Sequence, residues 1–161
     1  MDVRQEIPVK SFSIAAYVCR VISGRGRYLV IRRSTSYLAN TWQMVSGRVE
    51  TGETGWKAAL REIEEETGLV PDRFYSTDLL EQFYEPDQNC VNLVPVFVGF
   101  LDTDREVRLS REHDAFEWIG VEDADRYLLF ENQRSAVRDI ERRFVREKPN
   151  EFLRIDAGRA E

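Results

Sequence analysis

The chain has 161 residues, of which 42% are hydrophobic and 32% charged, and its net charge is −6. This length suits one domain with a real core and is short for two. We therefore expect a single domain over residues 1–161, with its core at about 10–146 and a loosely ordered C-terminal tail. The negative charge argues against nonspecific binding to duplex nucleic acid, which relies on basic surface. A small anionic ligand remains compatible, since a metal ion and a few arginines can reverse the local field.

The chain begins MDVRQEIPVK, which contains no apolar signal-peptide core. Its longest apolar run, residues 93–101, is too short to cross a bilayer and contains Pro95 and Gly99. We expect a cytoplasmic protein without membrane contact. Cys19 and Cys90 lie far apart without metal-ligand spacing, so buried, reduced thiols are expected rather than a disulfide.

The first half of the chain predicts a hairpin and a short strand. Residues 11–22 are rich in β-branched, aromatic and small apolar side chains, which favours a strand. The sequence SGRGR at 23–27 has turn chemistry, and residues 28–31 predict the second strand of the hairpin. Residues 42–49 predict a short strand that leads through a glycine-containing loop into a helix.

That helix follows from four apolar residues at helical spacing, namely Trp56, Ala59, Leu60 and Ile63. Residues 51–54 supply capping side chains at its start. Gly68, close to Pro71, should end it.

The second half predicts further strands and one more helix. Residues 83–84 and 91–100 flank a polar EPDQN turn and should pair as antiparallel strands, and residues 116–119 predict a brief strand. From about Asn132, apolar residues at helical spacing predict an amphipathic helix, whose arginine-rich face we interpret as solvated surface. This mixture favours an α/β (α+β type) fold, in which one mixed sheet carries helices on its faces.

Three glutamates, Glu62, Glu65 and Glu66, lie on the first helix within an arc of about 100°, away from the apolar residues. Like charges at Glu62 and Glu66, one turn apart, repel each other. From helix geometry alone, a solvated acidic face and a cation site are equally acceptable interpretations. If a cation is held, hard carboxylate oxygens without a nearby histidine or cysteine favour Mg²⁺ or Mn²⁺ over zinc.

The residues around this helix follow a longer pattern: a glycine, a glutamate six positions later, then Arg-Glu, two further glutamates and a closing glycine. The matching positions are Gly47, Glu53, Arg61, Glu62, Ile63, Glu65, Glu66, Gly68 and Leu69. This stretch resembles the signature box of the Nudix hydrolases at every fixed position, although it covers only 23 residues of the chain. The resemblance implies an α/β/α sandwich with a mixed sheet, and a metal-dependent hydrolase of diphosphate bonds.

The resemblance also implies roles for individual residues. Glu62, Glu65 and Glu66 correspond to ligands of Mg²⁺, with Mn²⁺ possible, and the backbone carbonyl of Ser46 commonly joins them. Many relatives have glycine at the position of Ser46, which puts the seating of the substrate in question but not coordination by a carbonyl. Glu112 corresponds to a loop glutamate that contributes to metal binding or to catalysis. Glu62 is the first candidate for the general base and Glu112 the second.

Other residues near the box have a structural alternative. Arg61 and Glu53 are expected to form an ion pair that holds the box loop against its helix. The only histidine, His113, is more often structural than catalytic in such a position. Gly47 and Gly68 are expected to serve backbone geometry.

Candidate substrate-binding residues lie before the box. Arg32 and Arg33 end a predicted strand, where a guanidinium group could contact phosphates, although a charged strand end is an equal alternative. Trp42, followed by Gln43, could stack on a heterocycle or belong to the core. We retain Arg33, Trp42 and Gln43 as substrate-binding predictions.

The strings WQMVSGRVETGE, EHDAFEWIGVEDA and FENQRSAV resemble the dATP and dihydroneopterin triphosphate pyrophosphohydrolase branch of the family. That resemblance implies a nucleoside or pterin triphosphate as the small-molecule substrate, with a monophosphate and pyrophosphate as products. Two alternatives stay open. One is a hydrolase of dinucleoside polyphosphates or nucleotide sugars, and the other is a nucleotide-sensing module without catalysis. The oligomeric state does not follow from the sequence.

Overall fold

The computed structural model describes residues 4–158, and residues 1–3 and 159–161 lie outside the described part. The strands within it are β1 (Val9–Lys10), β2 (Ser13–Ile22), β3 (Arg25–Arg33), β4 (Trp42–Gln43), β5 (Val45–Arg48), β6 (Arg73–Glu85), β7 (Cys90–Phe100) and β8 (His113–Ile119). The helices are α1 (Gly55–Thr67), α2 (Ala124–Tyr127) and α3 (Glu131–Ile140). Short 3-10 turns occupy Val121–Asp123 and Glu151–Leu153, and α3 continues into a π-helical turn, Glu141–Arg146.

All eight of these strands join one mixed sheet. β2 runs parallel to β7 and antiparallel to β3 and β5, whereas β3 also pairs with β4 and β8. β6 forms the long antiparallel partner of β7, with Phe83 opposite Asn92 and Tyr84 opposite Val91, which confirms the strand pair predicted from the sequence.

β2 changes partner along its length, and this change shapes the site. Its residues 19–22 pair with β3, and its residues 13–16 pair with β5. β3 and β5 therefore occupy different stretches of the same edge of β2. Arg33 is the last residue of β3, and Ser46 lies within β5.

The sheet is buried on both faces. Along β2, Ile14, Ala16 and Val18 belong to one core cluster with Ala59 and Ile63 of α1. The intervening residues, including Ala15 and Tyr17, belong to the opposite cluster, which contains Val137 and Ile140 of α3. Each large apolar side chain buried in this way contributes about 1.5–3 kcal/mol. The expected α/β/α sandwich is thereby confirmed.

Helix α1 ends as predicted but begins differently. Gly68 adopts a left-handed conformation with φ of 71°, and its N–H donates to the carbonyl of Glu64. Thr54 occupies the N-terminal cap position, but its side chain makes no capping hydrogen bond. The preceding loop is held instead by Glu53, whose carboxylate accepts a hydrogen bond from the Glu50 N–H at 3.0 Å. The expectation of side-chain capping by residues 51–54 was therefore wrong.

The arginine face of α3 and the π-helical turn carries ion pairs with neighbouring carboxylates. Arg138 contacts Asp125 and Glu131, and Arg142 and Arg143 both contact Asp139. These pairs fit the interpretation of this face as protein surface.

The tail differs from the loosely ordered segment expected from the sequence, as far as residue 158. Asn150 accepts a hydrogen bond from the Phe152 N–H and caps the last 3-10 turn. Ile155 N–H donates to the Phe74 carbonyl at 2.8 Å, and Arg154 forms a bridge with Tyr75. The tail is ordered because the free edge of β6 offers it backbone partners.

Cys19 and Cys90 are both buried and free, as expected. Among the described residues, none of the helices has the length and apolar character that crossing a membrane requires.

Candidate active site

The three box glutamates face a cleft of about 710 Å³, which we call the acidic cleft. Helix α1 supplies one wall, the loop after β5 another, and the ends of β3 and of the segment before β8 the remainder. The lining residues are Ser13, Arg33, Tyr37, Ser46, Gly47, Arg48, Glu50, Arg61, Glu62, Glu65, Glu66, Ser110 and Glu112. The structure therefore brings together Glu62, Glu65, Glu66, Glu112, Ser46 and Arg33 from the sequence predictions.

Glu66 is the most strongly perturbed carboxyl group of the cleft. Its side chain is only 6% exposed, and its Oε2 atom has no hydrogen-bond partner among the described residues. Burial, followed by repulsion from Glu62 and Glu112, raises the pKa of Glu66 to about 8. Attraction by Arg33 and the backbone amide of Ser46 acts in the opposite direction. A buried carboxyl group whose pKa is raised by burial and by neighbouring charges is typical of a functional site.

Glu62 shares this environment. Burial raises its pKa, and the charges of Glu65 and Glu112 act in the same direction against the lowering effect of Arg61. Glu112 itself lies at the exposed rim, and it is close enough to influence both Glu62 and Glu66. Carboxylates from α1 and from the loop before β8 therefore share one electrostatic site.

Arg61 makes the ion pair expected with Glu53, and it also reaches the box glutamates. Its Nε donates to Glu53 at 2.8 Å, and its Nη2 donates to the Arg48 carbonyl at 2.9 Å. Its Nη1 contacts Glu62 at 2.9 Å and Glu65 at 3.2 Å. One guanidinium group thus fixes the loop before α1 and offsets the repulsion between two carboxylates.

Gly47 leaves room for the Glu62 side chain of the helix. A Cβ atom at this position would overlap the carboxyl group of Glu62 as it stands in this structure. The absence of a side chain lets β5 lie directly against the Glu62 carboxylate.

Within residues 4–158, no three acidic, histidine or cysteine side chains converge as a ready-made metal cage. The contacts of Arg61 give a physical reason, because its guanidinium group holds Glu62 and Glu65 as a cation would. The donor set nevertheless fits a hard divalent cation, since it consists of carboxylates with one unpartnered, buried oxygen on Glu66.

The two strand-end arginines point to opposite faces of the sheet. Arg33 enters the acidic cleft. Arg32 instead donates to Asp114 at 2.7 Å and lies 5.7 Å from the ring centre of Trp42. Strand alternation explains the difference, because adjacent side chains project to opposite faces.

Trp42 and Gln43 do not line the acidic cleft. The Trp42 ring packs edge-on against Tyr127 at 5.4 Å, on the α3 side of the sheet. Gln43 is 7% exposed, and its Nε2 lies 3.3 Å from Nε2 of His113. His113 is likewise buried, and burial lowers its pKa, which suits a structural histidine.

Several lining residues were not predicted from the sequence, notably Tyr37, Ser13 and Ser110. Ser13 lies opposite Arg48 in the pairing of β2 with β5, so only the strand register could have placed it. Tyr37 belongs to a polar loop without periodicity, and its sequence context carries no signal for the site.

A second cleft, of about 820 Å³, lies between α1, the start of β6 and residues 154–158. It is the larger of the two, but none of the four predicted catalytic glutamates lines it. The box glutamates and their raised pKa values make the acidic cleft the candidate active site.

A profile described as NUDIX domain matches residues 12–140 of the chain. The chain belongs to the Nudix family. The match extends well beyond the 23-residue box and covers most of the sheet, α1 and α3.

The relatives of the chain carry names of different activities. An octanoyltransferase of Myxococcus xanthus is 39% identical over 137 residues, which are 81% of this chain and 36% of that protein. The chain thus spans about a third of that relative's length. An asymmetrical bis(5'-nucleosyl)-tetraphosphatase of Rattus norvegicus is 30% identical over 103 residues, which are 61% of this chain and 68% of the relative.

Two solved Nudix structures superpose on the chain with a TM-score of 0.69 and 24% identity, a likeness that concerns the fold. One is the Caenorhabditis elegans Ap4A hydrolase in a binary complex, with 81% of this chain and 94% of that chain covered. The other is the dihydroneopterin triphosphate pyrophosphohydrolase of E. coli, with 86% and 94% covered.

Proposed function

We propose that the protein is a Mg²⁺-dependent hydrolase that cleaves a diphosphate bond in a nucleoside or pterin triphosphate, giving the monophosphate and pyrophosphate. The observation that carries this proposal is the buried carboxylate of Glu66, which lies beside Glu62 in the acidic cleft and has one oxygen without a hydrogen-bond partner among the described residues. A carboxylate placed at such a cost in solvation has a partner in the working protein, and a divalent cation is the partner that the donor set suits.

Glu62, Glu65 and Glu66, with the carbonyl of Ser46, would hold the metal, and Mn²⁺ is an acceptable substitute for Mg²⁺. The bound ion would neutralise charge on the phosphoryl oxygens and lower the pKa of a bound water. Arg33 would position a phosphate from the opposite side of the cleft, since its guanidinium group can donate two parallel hydrogen bonds. Glu62 is our first candidate to accept a proton from the attacking water, and Glu112 is the second.

A second candidate function is the hydrolysis of dinucleoside polyphosphates. It is supported by the tetraphosphatase relative, which is 30% identical over 68% of its own length. The bond cleaved is of the same kind, so the acidic cleft suits both substrates equally. What differs is the group attached beyond the phosphates, and the box residues do not contact that group in either proposal.

A third candidate, a nucleotide sensor that has lost catalysis, is less well supported. The chain retains all three glutamates, Glu62, Glu65 and Glu66. Arg61 donates hydrogen bonds to two of them, Glu62 and Glu65. A binding module has no need of three mutually repelling carboxylates on one helix.

The test is a substrate panel of nucleoside triphosphates, dihydroneopterin triphosphate, diadenosine tetraphosphate and ADP-ribose, incubated with Mg²⁺ and resolved by chromatography. We expect a triphosphate to give a monophosphate and pyrophosphate, and activity to vanish with EDTA. Orthophosphate and a diphosphate as main products would refute the cleavage position. Turnover of diadenosine tetraphosphate with triphosphates untouched would establish the second candidate, and full activity in chelated buffer would exclude a metal enzyme.

A further inference from the structure

Tyr37 is the only aromatic residue among the described residues that line the acidic cleft. The other lining residues are polar, charged or glycine, so none of them offers a ring to a planar group of the ligand. Tyr37 is 68% exposed, so its ring is accessible to a ligand in the cleft.

We propose that Tyr37 is a specificity-determining residue, whose exposed ring stacks on the planar heterocycle of the substrate while the phosphates lie against α1. This inference rests on the proposed function, because it assumes a substrate with a ring and a polyphosphate. It assigns to Tyr37 the stacking role that the sequence suggested for Trp42.

Tyr37 is held in place by the cleft's own arginine. Arg33 Nε donates to the Tyr37 carbonyl at 3.0 Å, and the Arg33 guanidinium group lies 5.6 Å from the centre of the Tyr37 ring. Arg33 Nη2 also donates to Thr35 Oγ1 at 3.2 Å. The residue that faces the phosphates thus also fixes the loop that carries the ring.

The remainder of the loop is equally well defined. Thr41 Oγ1 donates to the Leu38 carbonyl, and the Asn40 N–H donates to the Arg33 carbonyl at 2.9 Å. Leu38 and Asn40 both have left-handed backbones, with φ of 51° and 63°. A loop that adopts two such conformations is over-determined by its contacts, so the ring is presented by a preorganised segment.

Trp42 has no comparable freedom. Tyr127 packs against its ring on the α3 side of the sheet, and Arg32 lies against it as well. Because Trp42 does not line the acidic cleft, its ring would have to leave Tyr127 before it could bind a heterocycle beside the acidic helix.

The experiment compares Tyr37→Ala, Tyr37→Leu and Tyr37→Phe with wild type, and uses Phe152→Ala as a control for loss of an exposed ring elsewhere. Phe152 is 99% exposed and lies outside the acidic cleft. For the substrate that wild type hydrolyses, we expect KM to rise about 10-fold in Tyr37→Ala with little change in kcat, in line with the loss of one ring stack. Tyr37→Phe should retain wild-type KM, Tyr37→Leu should lie between the two, and Phe152→Ala should be unchanged.

Inorganic tripolyphosphate, which has no ring, separates stacking from an indirect effect through Arg33. Its inhibition constant should be the same in wild type and in Tyr37→Ala. An equal rise in KM and in this inhibition constant would overturn the proposal, as would an unchanged KM in Tyr37→Ala. A selective rise in KM for Trp42→Ala alone would also overturn it.

Failure of the proposed function has a different signature, namely no turnover of any panel substrate by wild type. In that case, calorimetric binding of ATP to wild type and Tyr37→Ala still decides the inference. Binding weakened about 10-fold in the variant would support a stacking role, and equal binding would reject it.

Discussion

Two buried glutamates on opposite sides of the sheet differ in the hydrogen-bond donors that surround them. Glu141, 3% exposed on the α3 side, accepts hydrogen bonds from Tyr28 Oη at 2.7 Å and from the Gly26 N–H at 3.2 Å. Arg146 lies 3.6 Å from the same carboxylate. Glu66, 6% exposed in the acidic cleft, has one oxygen with no partner among the described residues.

The difference supports a structural role for Glu141 and the functional role that we propose for Glu66. Glu141 joins the start of the π-helical turn to the β2–β3 hairpin, and its donors compensate for the loss of water. Glu66 lies among like charges, which makes its ionised form costly in the protein alone and favours a bound cation. Burial alone therefore does not indicate whether a carboxylate is structural or functional. The hydrogen-bond donors around the carboxylate are the more informative feature.

The largest expected effect concerns activity. Glu66→Gln and Glu65→Gln should each lower kcat by about 100-fold or more, because each removes an anionic ligand with little change of shape. Glu64→Gln is the matched control, since Glu64 is exposed on the same helix and does not line the acidic cleft. Steady-state kinetics with Mg²⁺ check this prediction, and near-wild-type rates in both variants would contradict the metal assignment.

Glu141, on the other side of the sheet, should contribute to stability rather than to activity. Glu141→Ala should lower the free energy of unfolding by about 3 kcal/mol, because Tyr28 and Gly26 lose a charged acceptor in a buried place. Urea denaturation measures the change, with the exposed Glu147→Ala as the control. If the folded Glu141→Ala protein lost its activity at unchanged stability, the division between the two carboxylates would fail.

Metal binding should separate the two sites directly. Saturating Mg²⁺ should raise the melting temperature of wild type, by the equivalent of about 2–3 kcal/mol at 100 times the dissociation constant. The increase should persist in Glu141→Ala and disappear in Glu66→Gln. Thermal unfolding with and without EDTA gives the comparison, and an equal increase in all three proteins would place the cation elsewhere.

The smallest effect is a pH dependence of stability without metal. The pKa of Glu66 is about 8 in the fold, against an ordinary 4.5, so folding disfavours its ionised form. The resulting loss of stability is absent below pH 4.5 and grows as pH rises to 8. In EDTA, Glu66→Gln should therefore match wild type at low pH and exceed it by about 1–2 kcal/mol above pH 8.

Chemical denaturation at a series of pH values checks this last prediction. The gain in the free energy of unfolding should be smaller than the pKa difference alone implies, because relaxation and water penetration reduce the cost of the ionised carboxylate. A stability difference that is constant from pH 4.5 to 8 would show that repacking, rather than charge, causes the effect.

The sequence predicted the parts of the fold that depend on local pattern. The apolar spacing of α1, its end at Gly68 and the pairing around Phe83 follow from side chains that are neighbours in the chain. The box also predicted the ion pair of Arg61 with Glu53, because both positions are fixed within it. These features need no knowledge of distant contacts.

Features that depend on register could not be obtained in this way. The positions of β3 and β5 result from a change of partner along β2, which no local pattern encodes. The side of the sheet on which Trp42 lies depends on its pairing with Arg32 and on packing against Tyr127. Tyr37 belongs to a loop whose shape is determined by Arg33, so its position follows only from the folded structure.

The C-terminal segment has a practical consequence for anyone who expresses the protein. The NUDIX domain match ends at residue 140, yet Glu141 and Ile155 lie beyond that boundary. A fragment that ends at residue 140 would lose Glu141, whose carboxylate Tyr28 and Gly26 contact. It would also lose Ile155, which leaves the backbone of β6 at Phe74 unpaired. An uncovered strand edge is a template for pairing with another chain, so such a fragment should be prone to aggregation, although it would keep every residue of the acidic cleft.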